Sequence, residues 1–325
     1  MPGVTSVDVA RASGVSRTTV SYVLNGTPGV TISEATRQRV LEAAQRLGYA
    51  PSAAARALRR GRTDLVLCVL PNWPIGPVLD LMLDHLATAL AERGLSVLVH
   101  HGRGPRPLSE LWRAVTPRAV VGFAAFAPDE ERAMRQAGIQ VVSTMVEPDN
   151  PRAFAADQAN IGRLQVDHLV ERGHRVVGHA APVDPRLVDF AGPRVEGVRA
   201  ACAAAGLAAP VVADVELTVA SATEAVRRWQ AAGVTAVAAY NDEVALAVLA
   251  GVRAAGLTCP DDIAVIGVDD LPLAALANPA LTTVGQPVGV QADYLAAAVL
   301  ATLDGAAEPP PHPSEGLRVV VRAST

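Results

Sequence analysis

The chain has 325 residues and a mass of 33.6 kDa, too much for one small core, so we expect two or three domains. Half of its residues are apolar and 18% are charged, which excludes a disordered chain. The net charge of −4 is unevenly divided: residues 1–62 hold nine arginines against three acidic residues, a charge of +6, which leaves −10 on the rest. A basic segment on an acidic chain suggests contact with a polyanion, although a solvated charged face explains the charge alone equally well.

The sequence carries no signal for export or membrane insertion. Its start lacks the basic stretch followed by an apolar stretch of a signal peptide, and no run of about eighteen apolar residues occurs. The cysteines Cys68, Cys202 and Cys259 are scattered without CxxC spacing, as expected of buried thiols in a reducing compartment. We therefore expect a cytoplasmic protein with no membrane partner.

Residues 5–26 predict two short helices joined by a sharp turn. Thr5, followed three residues later by Asp8, resembles a capping box at the start of the first helix. Gly14 can adopt the positive φ that a sharp turn needs, and Ser16 is a suitable N-cap for the second helix.

The second helix has one apolar and one polar face. Helical spacing directs three side chains toward a core: Val20, Val23 and Leu24. The opposite face carries Arg17, Thr18, Ser21 and Tyr22. These side chains form hydrogen bonds and lie near the helix N-terminus, which suits a recognition helix in the DNA major groove. The alternative is a small alanine-rich helical subdomain that binds nothing.

A third helix is predicted from near Ser33 to Gly48, with an apolar stripe of Val40, Ala43, Ala44 and Leu47. Residues 51–62 can form a further short helix after Pro51, but its alanine-rich face is too thin to keep it folded alone. We expect it to order on DNA, with Leu58 among arginines as a wedge for the minor groove. The alternative is a flexible linker in which Leu58 packs on the rest of the protein.

From Thr63 onward, short β-rich runs alternate with helical stretches. The first set of runs is DLVLCVL, SVLVHH, RAVVGFAAF and IQVVSTMV. The second set is AFAAD, RVVGHAA, VVADVEL, TAVAAY and DIAVIGV. The alternation falls into two similar sets, which predicts an α/β fold of two lobes with parallel sheets. Ligands of such sheets bind beyond the carboxyl ends of the strands, so a cleft between the lobes is the expected binding site.

Polar residues at those carboxyl ends are candidate ligand contacts. They are Asn72, Trp73, Asp157, Asn241, Asp242, Asp269 and Asp270, to which we add Arg194 at the opening of the predicted helix GPRVEGVRAAC. Each alone is better explained as a helix cap or turn residue, as Asn241 and Asp242 before a helix illustrate. Together they supply the donors and acceptors that a polar ligand requires.

Motifs for catalysis, metals and cofactors are missing from the sequence. His100 and His101 are adjacent, so they point to opposite faces of a strand, and His168 and His174 lack further ligand spacing. No GxSxG elbow, P-loop or GxGxxG after a strand is found. We therefore expect no catalytic residue, no metal and no cofactor.

The segment VTSVDVARASGVSRTTVSYVLN resembles the head of the LacI/GalR family of bacterial repressors, with Ser13 in place of the usual alanine. The hinge resembles the family's P-N-x-x-A-R-x-L with Ser52 in place of asparagine, and Tyr22 stands where an arginine is common. The resemblance implies a fold with a helix-turn-helix head and a two-lobed body like periplasmic binding proteins. It implies DNA contacts by Thr5, Ser16, Arg17, Thr18, Thr19, Ser21, Tyr22, Asn25, Ala55 and Leu58.

The resemblance extends through the body, most strongly in GPRVEGVRAA, in the segment that begins YNDEVALAVLAG and in the terminal VVVRAST. It implies that Arg194, Asn241 and Asp269 contact a small-molecule effector, with weaker matches at Asp157 and at Asn72 and Trp73. The stretch PNWPIGP lacks the Asn-Pro-Phe-Phe of many sugar-sensing relatives, and aromatic residues are few. A sugar effector is therefore the family default rather than a property of these residues.

We accordingly expect a homodimeric transcriptional regulator, most simply a repressor, that binds a near-palindromic operator in double-stranded DNA and responds to a small polar effector. The expected segments are a head at 1–50, a hinge helix at 51–62 and a body at 63–325, whose first lobe is about 63–157 plus 286–316 and whose second lobe is about 158–285 plus the C-terminal strand. A solute-binding protein and an α/β sugar-processing enzyme are the alternatives. The basic head opposes the first, and the missing nucleophile and acid–base groups oppose the second.

Overall fold

A computed structural model of the chain describes residues 4–25, 29–49, 61–103, 106–143, 158–305 and 316–325. The chain divides into two compact units. One comprises residues 1–64 with 113–118, and the other comprises 65–112 with 119–325. We call the first the head unit and the second the body, and describe each by itself.

The described part of the head unit contains helices α1 (Ser6–Ser13), α2 (Arg17–Asn25) and α3 (Glu34–Arg46). Their apolar faces form one core of small and β-branched side chains, with Val9, Val20, Val23, Val40 and Ala43 at its centre. Leu24 packs on its edge. The predicted core face of α2 and the stripe of α3 are therefore confirmed.

Local hydrogen bonds explain where the head helices begin. The Asp8 carboxylate accepts from the Thr5 backbone N–H at 2.9 Å and from the Thr5 hydroxyl at 2.7 Å. Ser16 Oγ accepts from the Thr19 backbone N–H at 3.0 Å, so Ser16 caps α2 as predicted. Gly14 has a φ of 67° between α1 and α2, a conformation that glycine adopts without steric cost.

The body contains two sheets with helices on both faces. The first sheet has the strand order β2-β1-β3-β4, all parallel. Its strands and the helices between them are β1 (Leu65–Leu70), α4 (Pro77–Ala91), β2 (Ser96–His101), α5 (Leu108–Val115), β3 (Ala119–Gly122), α6 (Pro128–Gln136) and β4 (Gln140–Ser143).

The second sheet has the order β10-β9-β8-β7-β5-β6, parallel except for β10, which pairs antiparallel with β9. Its elements are α7 (Gln158–Glu171), β5 (Val177–Pro182), a 3-10 turn (Pro185–Leu187), α8 (Val188–Ala204), β6 (Val211–Val215), α9 (Val219–Ala231), β7 (Ala236–Ala239), α10 (Asp242–Ala254), β8 (Ala264–Asp269), α11 (Pro272–Leu276), β9 (Thr282–Gly285) and β10 (Arg318–Val320). Helix α12 (Val288–Leu303) follows β9 and packs on α4 of the first sheet.

Each sheet is buried on both faces, which explains its continuous apolar strands. In the second sheet, neighbouring residues of β8 alternate between two cores: Val265 packs with α9 and α10, and Ile266 packs with α7 and α8. The first lobe, meaning the first sheet with α4, α5, α6 and α12, is organised in the same way. The two parallel sheets of an α/β protein are thus confirmed.

The structure differs from the sequence predictions at three places. The run RAVVGFAAF forms a strand only to Gly122, because the ring of Phe126 folds back against the Gly122 backbone and the chain turns. The terminal strand β10 is antiparallel rather than parallel. Strand β9 and helix α12 were not predicted as separate elements. The predicted strand AFAAD and the hinge segment 51–60 lie outside the described residues.

Candidate functional site

The outer face of α2 presents polar side chains near the helix start. Arg17 and Thr18 are exposed, Tyr22 is 37% exposed, and Ser21 is half-buried. The opposite face is closed by the head core. The arrangement leaves a guanidinium, a hydroxyl and a phenol side by side, groups that can read base edges in a major groove.

The remaining polar residues of this region form hydrogen bonds with one another. The hydroxyls of Ser16 and Thr19 lie 2.9 Å apart, and the Asn25 side-chain amide donates to the Ser21 carbonyl and, at 3.2 Å, to the Ser21 hydroxyl. Thr5 is engaged by Asp8. These contacts fix the ends of the two helices, and the exposed hydroxyls of Thr5 and Ser16 still have lone pairs or protons for a phosphate oxygen or water.

Three of the predicted site residues, Ala55, Leu58 and Asp157, lie outside the described residues. A fourth, Asn72, is exposed at the end of β1 and does not line the cavity described next.

A cavity of about 370 Å³ lies at the carboxyl ends of both sheets. This volume falls within the roughly 300 to 1,000 Å³ typical of small-molecule sites. Residues at or just after the carboxyl ends of β1, β3, β5, β6, β7, β8 and β9 line it, so both lobes contribute. The structure brings together four of the predicted contacts here: Trp73, Arg194, Asn241 and Asp269.

The charged and hydrogen-bonding side chains of the cavity form what we call the polar end. Its members are Gln158, Arg194, Asn241, Glu243, Asp269 and Gln286.

Arg194 is the centre of the polar end. Its side chain is 3% exposed, and its guanidinium donates to Gln158 Oε1 and to the Tyr240 carbonyl. The Tyr240 ring lies 4.6 Å from the guanidinium carbon, close enough for a cation–π contact. Burial lowers the pKa of Arg194, but a guanidinium keeps its charge in proteins. The cavity therefore contains a fixed, oriented cation.

Asp269 ends β8 in a backbone conformation that favours glycine, with a φ of 112°. Its Oδ1 accepts from the Gln286 side-chain amide at 2.7 Å. Burial raises the pKa of Asp269 to about 7, against the opposing effect of Arg194. A strained, half-buried carboxyl group with a raised pKa at a strand end is typical of a functional site.

Asn241 has the capping role that the sequence allowed: its Oδ1 accepts from the Val244 backbone N–H at 3.0 Å and begins α10. Its amide also approaches Glu243 Oε2 at 3.4 Å, and it lines the cavity at the same time. Asp242 points away into the sheet, where it accepts from the Thr283 hydroxyl at 2.6 Å and from the Leu271 backbone N–H at 2.8 Å. Burial raises the pKa of Asp242 to about 6.

The first lobe lines the cavity with what we call the apolar wall: residues 73–79, Met82 and Phe123. Trp73 joins this wall to the second lobe, because its indole Nε1 donates to Asp189 Oδ2 at 2.9 Å and its ring lies 4.7 Å from the Phe190 ring. The contact holds the β1–α4 loop against the start of α8.

Several cavity residues were missed by the sequence analysis. Gln158 and Tyr240 each stand directly beside a residue that was predicted, and Gln286 follows the buried run TTVG, so position after a strand was an available signal. Phe123 and Met82 carried no such signal, because apolar residues in the core and in a cavity wall look alike in sequence.

In the described ranges, no three His, Cys, Asp or Glu side chains come together as a metal site would require. No helix in the described part of the chain has both the length and the apolar character of a membrane span.

Two family models match the chain. Residues 6–52 match the model of bacterial regulatory proteins of the lacI family, and residues 166–325 match that of periplasmic binding protein-like domains. The chain is 32% identical to the HTH-type transcriptional regulator MalR of Streptomyces coelicolor (strain ATCC BAA-471 / A3(2) / M145), over 98% of this chain and 95% of MalR.

Solved structures agree with this assignment. The transcriptional regulator CelR in complex with cellobiose is 28% identical, with a TM-score of 0.64, over 99% of this chain and 100% of that one. The lac repressor dimer bound to operator and the anti-inducer ONPF is 21% identical, with a TM-score of 0.80, over 99% of both chains, and shows a shared fold. The matched head, the two-lobed body and the near-complete coverage by MalR together mean that this chain belongs to the LacI family of bacterial regulatory proteins.

Proposed function

We propose that this protein is a homodimeric repressor that binds a near-palindromic operator through α2 and is controlled by a small molecule in the cavity. The observation that carries the proposal is that one chain holds both a basic head with an exposed polar recognition face and a cavity with a buried, oriented Arg194. A DNA reader and a ligand sensor in one chain are the two parts of a ligand-controlled regulator.

The comparisons support each part. MalR and CelR are transcriptional regulators, CelR has been solved in complex with cellobiose, and the lac repressor has been crystallised as a dimer on operator DNA. We therefore propose operator DNA, a second copy of this chain and an effector as partners, with the effector contacted by Trp73, Arg194, Asn241 and Asp269.

Within α2 we propose that Arg17, Thr18 and Tyr22 read base edges, while other residues position the backbone, namely Thr5, Ser16, Thr19, Ser21 and Asn25. Tyr22 offers a phenol hydroxyl and an apolar ring where relatives commonly carry an arginine. It therefore favours a base step that presents a thymine methyl group over one that presents guanine acceptors.

We propose that ligand binding changes the closure of the two lobes and thereby the separation of the paired hinges, residues 51–62. A ligand can move this equilibrium only by as much as its affinities for the two closures differ. The polar end belongs largely to the second lobe and the apolar wall to the first, so a ligand that contacts both prefers the closed arrangement.

We further propose that the protein acts in the cytoplasm and has no catalytic activity. The relatives named above are regulators rather than enzymes. The cavity groups are held by internal hydrogen bonds, with Asp269 bonded to Gln286 and Arg194 to Gln158, rather than arranged as a nucleophile and its base.

A mobility-shift assay with duplexes from the DNA upstream of the gene tests the proposal. The full-length chain should shift a near-palindromic duplex at moderate salt, and a duplex with one half-site scrambled should shift much more weakly. If no palindromic duplex binds, with or without cell extract as a source of effector, the repressor function is excluded.

The proposed role of Leu58 is tested with Leu58→Ala in the full-length chain. A residue that wedges the central base step acts only on the specific complex, so the variant should lose about tenfold or more in operator affinity while keeping its non-specific affinity. Leu41→Ala is the matched control, because Leu41 is 43% exposed on α3 of the same head. Equal losses on operator and random DNA would rule out the wedge.

A further inference from the structure

We propose that the effector of this protein is amphipathic, with a ring-sized hydrocarbon group against the apolar wall and a hydrogen-bonding head without negative charge at the polar end. The inference rests on the proposed function, in which the cavity is the effector site, and it narrows the chemical class of that effector. The supporting observations are the composition of the wall, the exposure of its rim and the charge balance of the polar end.

The side chains of the apolar wall offer a ligand almost nothing to hydrogen-bond. Residues 73–79, Met82 and Phe123 contain no charged side chain, and two of them, Pro74 and Pro77, lack a backbone N–H. Trp73 is the residue of the wall that has a side-chain N–H, and this indole N–H already donates to Asp189. Among the described residues, the first lobe adds one polar side chain beside the wall, that of Gln291 in α12. Ligand hydroxyls that face these side chains would lose their bonds to water without gaining a side-chain partner, at a cost in affinity.

Several apolar side chains around the cavity are largely exposed to solvent, and a bound ligand would cover them. Ile75 of the wall is 50% exposed, and Val183 and Leu217 of the second lobe, which also line the cavity, are 51% and 61% exposed. Grouped exposed apolar side chains beside a cavity are typical of a binding surface for an apolar group. A hydrocarbon or aromatic group that covers them gains affinity from the area it removes from water.

The polar end is unfavourable for an anionic head. Among the described residues that line the polar end, Glu243 and Asp269 supply two carboxyl groups against the one guanidinium of Arg194, which already donates to Gln158 and to the Tyr240 carbonyl. The further carboxylate in the lining, Asp184, is balanced by Arg186 at 2.6 Å. A phosphate or carboxylate would therefore meet the carboxylate of Glu243 and, above about pH 7, that of Asp269, whereas hydroxyl or ammonium donors would find acceptors.

The test uses matched sets of three probes: a polar parent, its phenyl derivative and its phosphorylated derivative. Suitable sets are a hexose with its phenyl glycoside and hexose phosphate, a pentose treated likewise, and an amino alcohol with its phenyl and phosphoryl forms. Binding to the full-length chain is measured by calorimetry and by tryptophan fluorescence. Trp73 lines the cavity, whereas Trp112 and Trp229 are buried in the lobe cores, so Trp73→Phe should abolish the fluorescence response.

The expected result is that, in at least one set, the phenyl member binds about tenfold or more tightly than its parent and the phosphorylated member binds more weakly than the parent. The inference is overturned if the parent or the phosphorylated member binds as tightly as the phenyl member in every set. It is equally overturned if no phenyl member binds, because the wall then does not recognise the group assigned to it.

Variants locate the effect. Ile75→Ser and Leu217→Ser should reduce the advantage of the phenyl member over its parent, and Val321→Ser, also 50% exposed but outside the cavity lining, should not. Glu243→Gln should strengthen binding of the phosphorylated member, because it removes one negative charge from the polar end. Loss of the phenyl preference in Val321→Ser as well would mean that the preference does not arise in the cavity.

Operator binding by the same preparation separates this inference from the proposed function. A chain that shifts operator DNA but binds no phenyl derivative disproves the ligand class and leaves the repressor. A chain that binds the phenyl members but no palindromic duplex supports the ligand class and disproves the repressor.

Discussion

At the scale of single residues, Asp269 is the clearest link between burial and chemistry. Burial raises its pKa from an ordinary 3.8 to about 7, with Arg194 opposing the shift and Asp242 adding to it. The folded chain therefore binds this proton more tightly than the unfolded chain does. Between pH 3.8 and about 7 the free energy of unfolding falls as the pH rises, and Asp242, with a pKa raised to about 6, acts in the same direction.

Asp269→Asn should reduce this pH dependence, because the amide cannot ionise and its oxygen can still accept from Gln286. Melting temperatures at about pH 5 and about pH 8 should differ less in the variant than in the unchanged chain. Asp129→Asn, in the exposed first turn of α6, should behave like the unchanged chain. If Asp269→Asn retains the full pH dependence, the carboxyl group of Asp269 is not the one that titrates near neutral pH.

At the scale of elements, two glycines set how closely α7 and α8 cross. A Cβ on Gly162 would collide with the carbonyl of Arg194 and the backbone of Val198, and one on Gly197 would collide with the backbone of Ala159. The close approach places Arg194 of α8 beside Gln158 at the start of α7. The packing of two helices thus positions the cation of the cavity.

Gly197→Ala should therefore lower the free energy of unfolding by about 1 to 3 kcal/mol, the usual cost of overpacking, and should also weaken ligand binding through Arg194. Gly192→Ala on the same helix is the matched control, because a Cβ there meets nothing within 4 Å. It should be neutral or should stabilise the helix by up to about 1 kcal/mol. Chemical denaturation of both variants makes the comparison, and equal effects would show that the helix crossing is not sterically limited.

The sequence predicted some strands and helices better than others, for reasons that particular elements show. The runs at β1 and β8 are six residues long, apolar except for the final Asp269 of β8, and followed by turn residues, so they were recognised as buried strands. Strand β9 has four residues and no alternation, and α12 is so rich in apolar residues that its helical period is weak. The direction of β10 depends on its partner, which a three-residue strand does not reveal.

At the scale of the whole molecule, the charge is unevenly distributed along the chain: residues 1–62 carry +6 and residues 63–325 carry −10. Counterion release makes DNA binding by basic residues strongly salt-dependent. An acidic remainder contributes no such attraction, so non-specific binding should arise from the basic end.

Operator affinity of the full-length chain should fall by orders of magnitude between about 50 and about 200 mM salt. Arg17→Ala should lower operator affinity by about tenfold or more, because a base-reading arginine is worth roughly 1 to 3 kcal/mol, and should narrow the difference between operator and mutated sites. Arg132→Ala, an exposed arginine of the acidic remainder, is the control and should change neither. Equal losses in the two variants, measured by fluorescence anisotropy, would contradict a head-only DNA contact.

The sequence by itself determined the head helices, their caps, the parallel α/β character of the body and the family, because these depend on local spacing: the cap at Ser16, the core face through Val20 and the long match to the LacI pattern. It also identified Trp73, Asn241 and Asp269 as candidates from their positions at or just after strand ends. Arg194 was identified as the start of a predicted helix and from the family resemblance, although it lies inside α8 rather than at its start.

Only the tertiary structure decided what surrounds those candidates. Residues far apart in the chain meet at the carboxyl ends of two sheets, so the contact of Trp73 with Asp189, the bond of Arg194 to Gln158 and the raised pKa of Asp269 depend on packing between segments. The apolar wall could not be read from sequence, because an apolar side chain that lines a cavity has the same local pattern as one in a core. Burial and charge balance are properties of the assembled cavity, and they are what define the chemistry of its ligand.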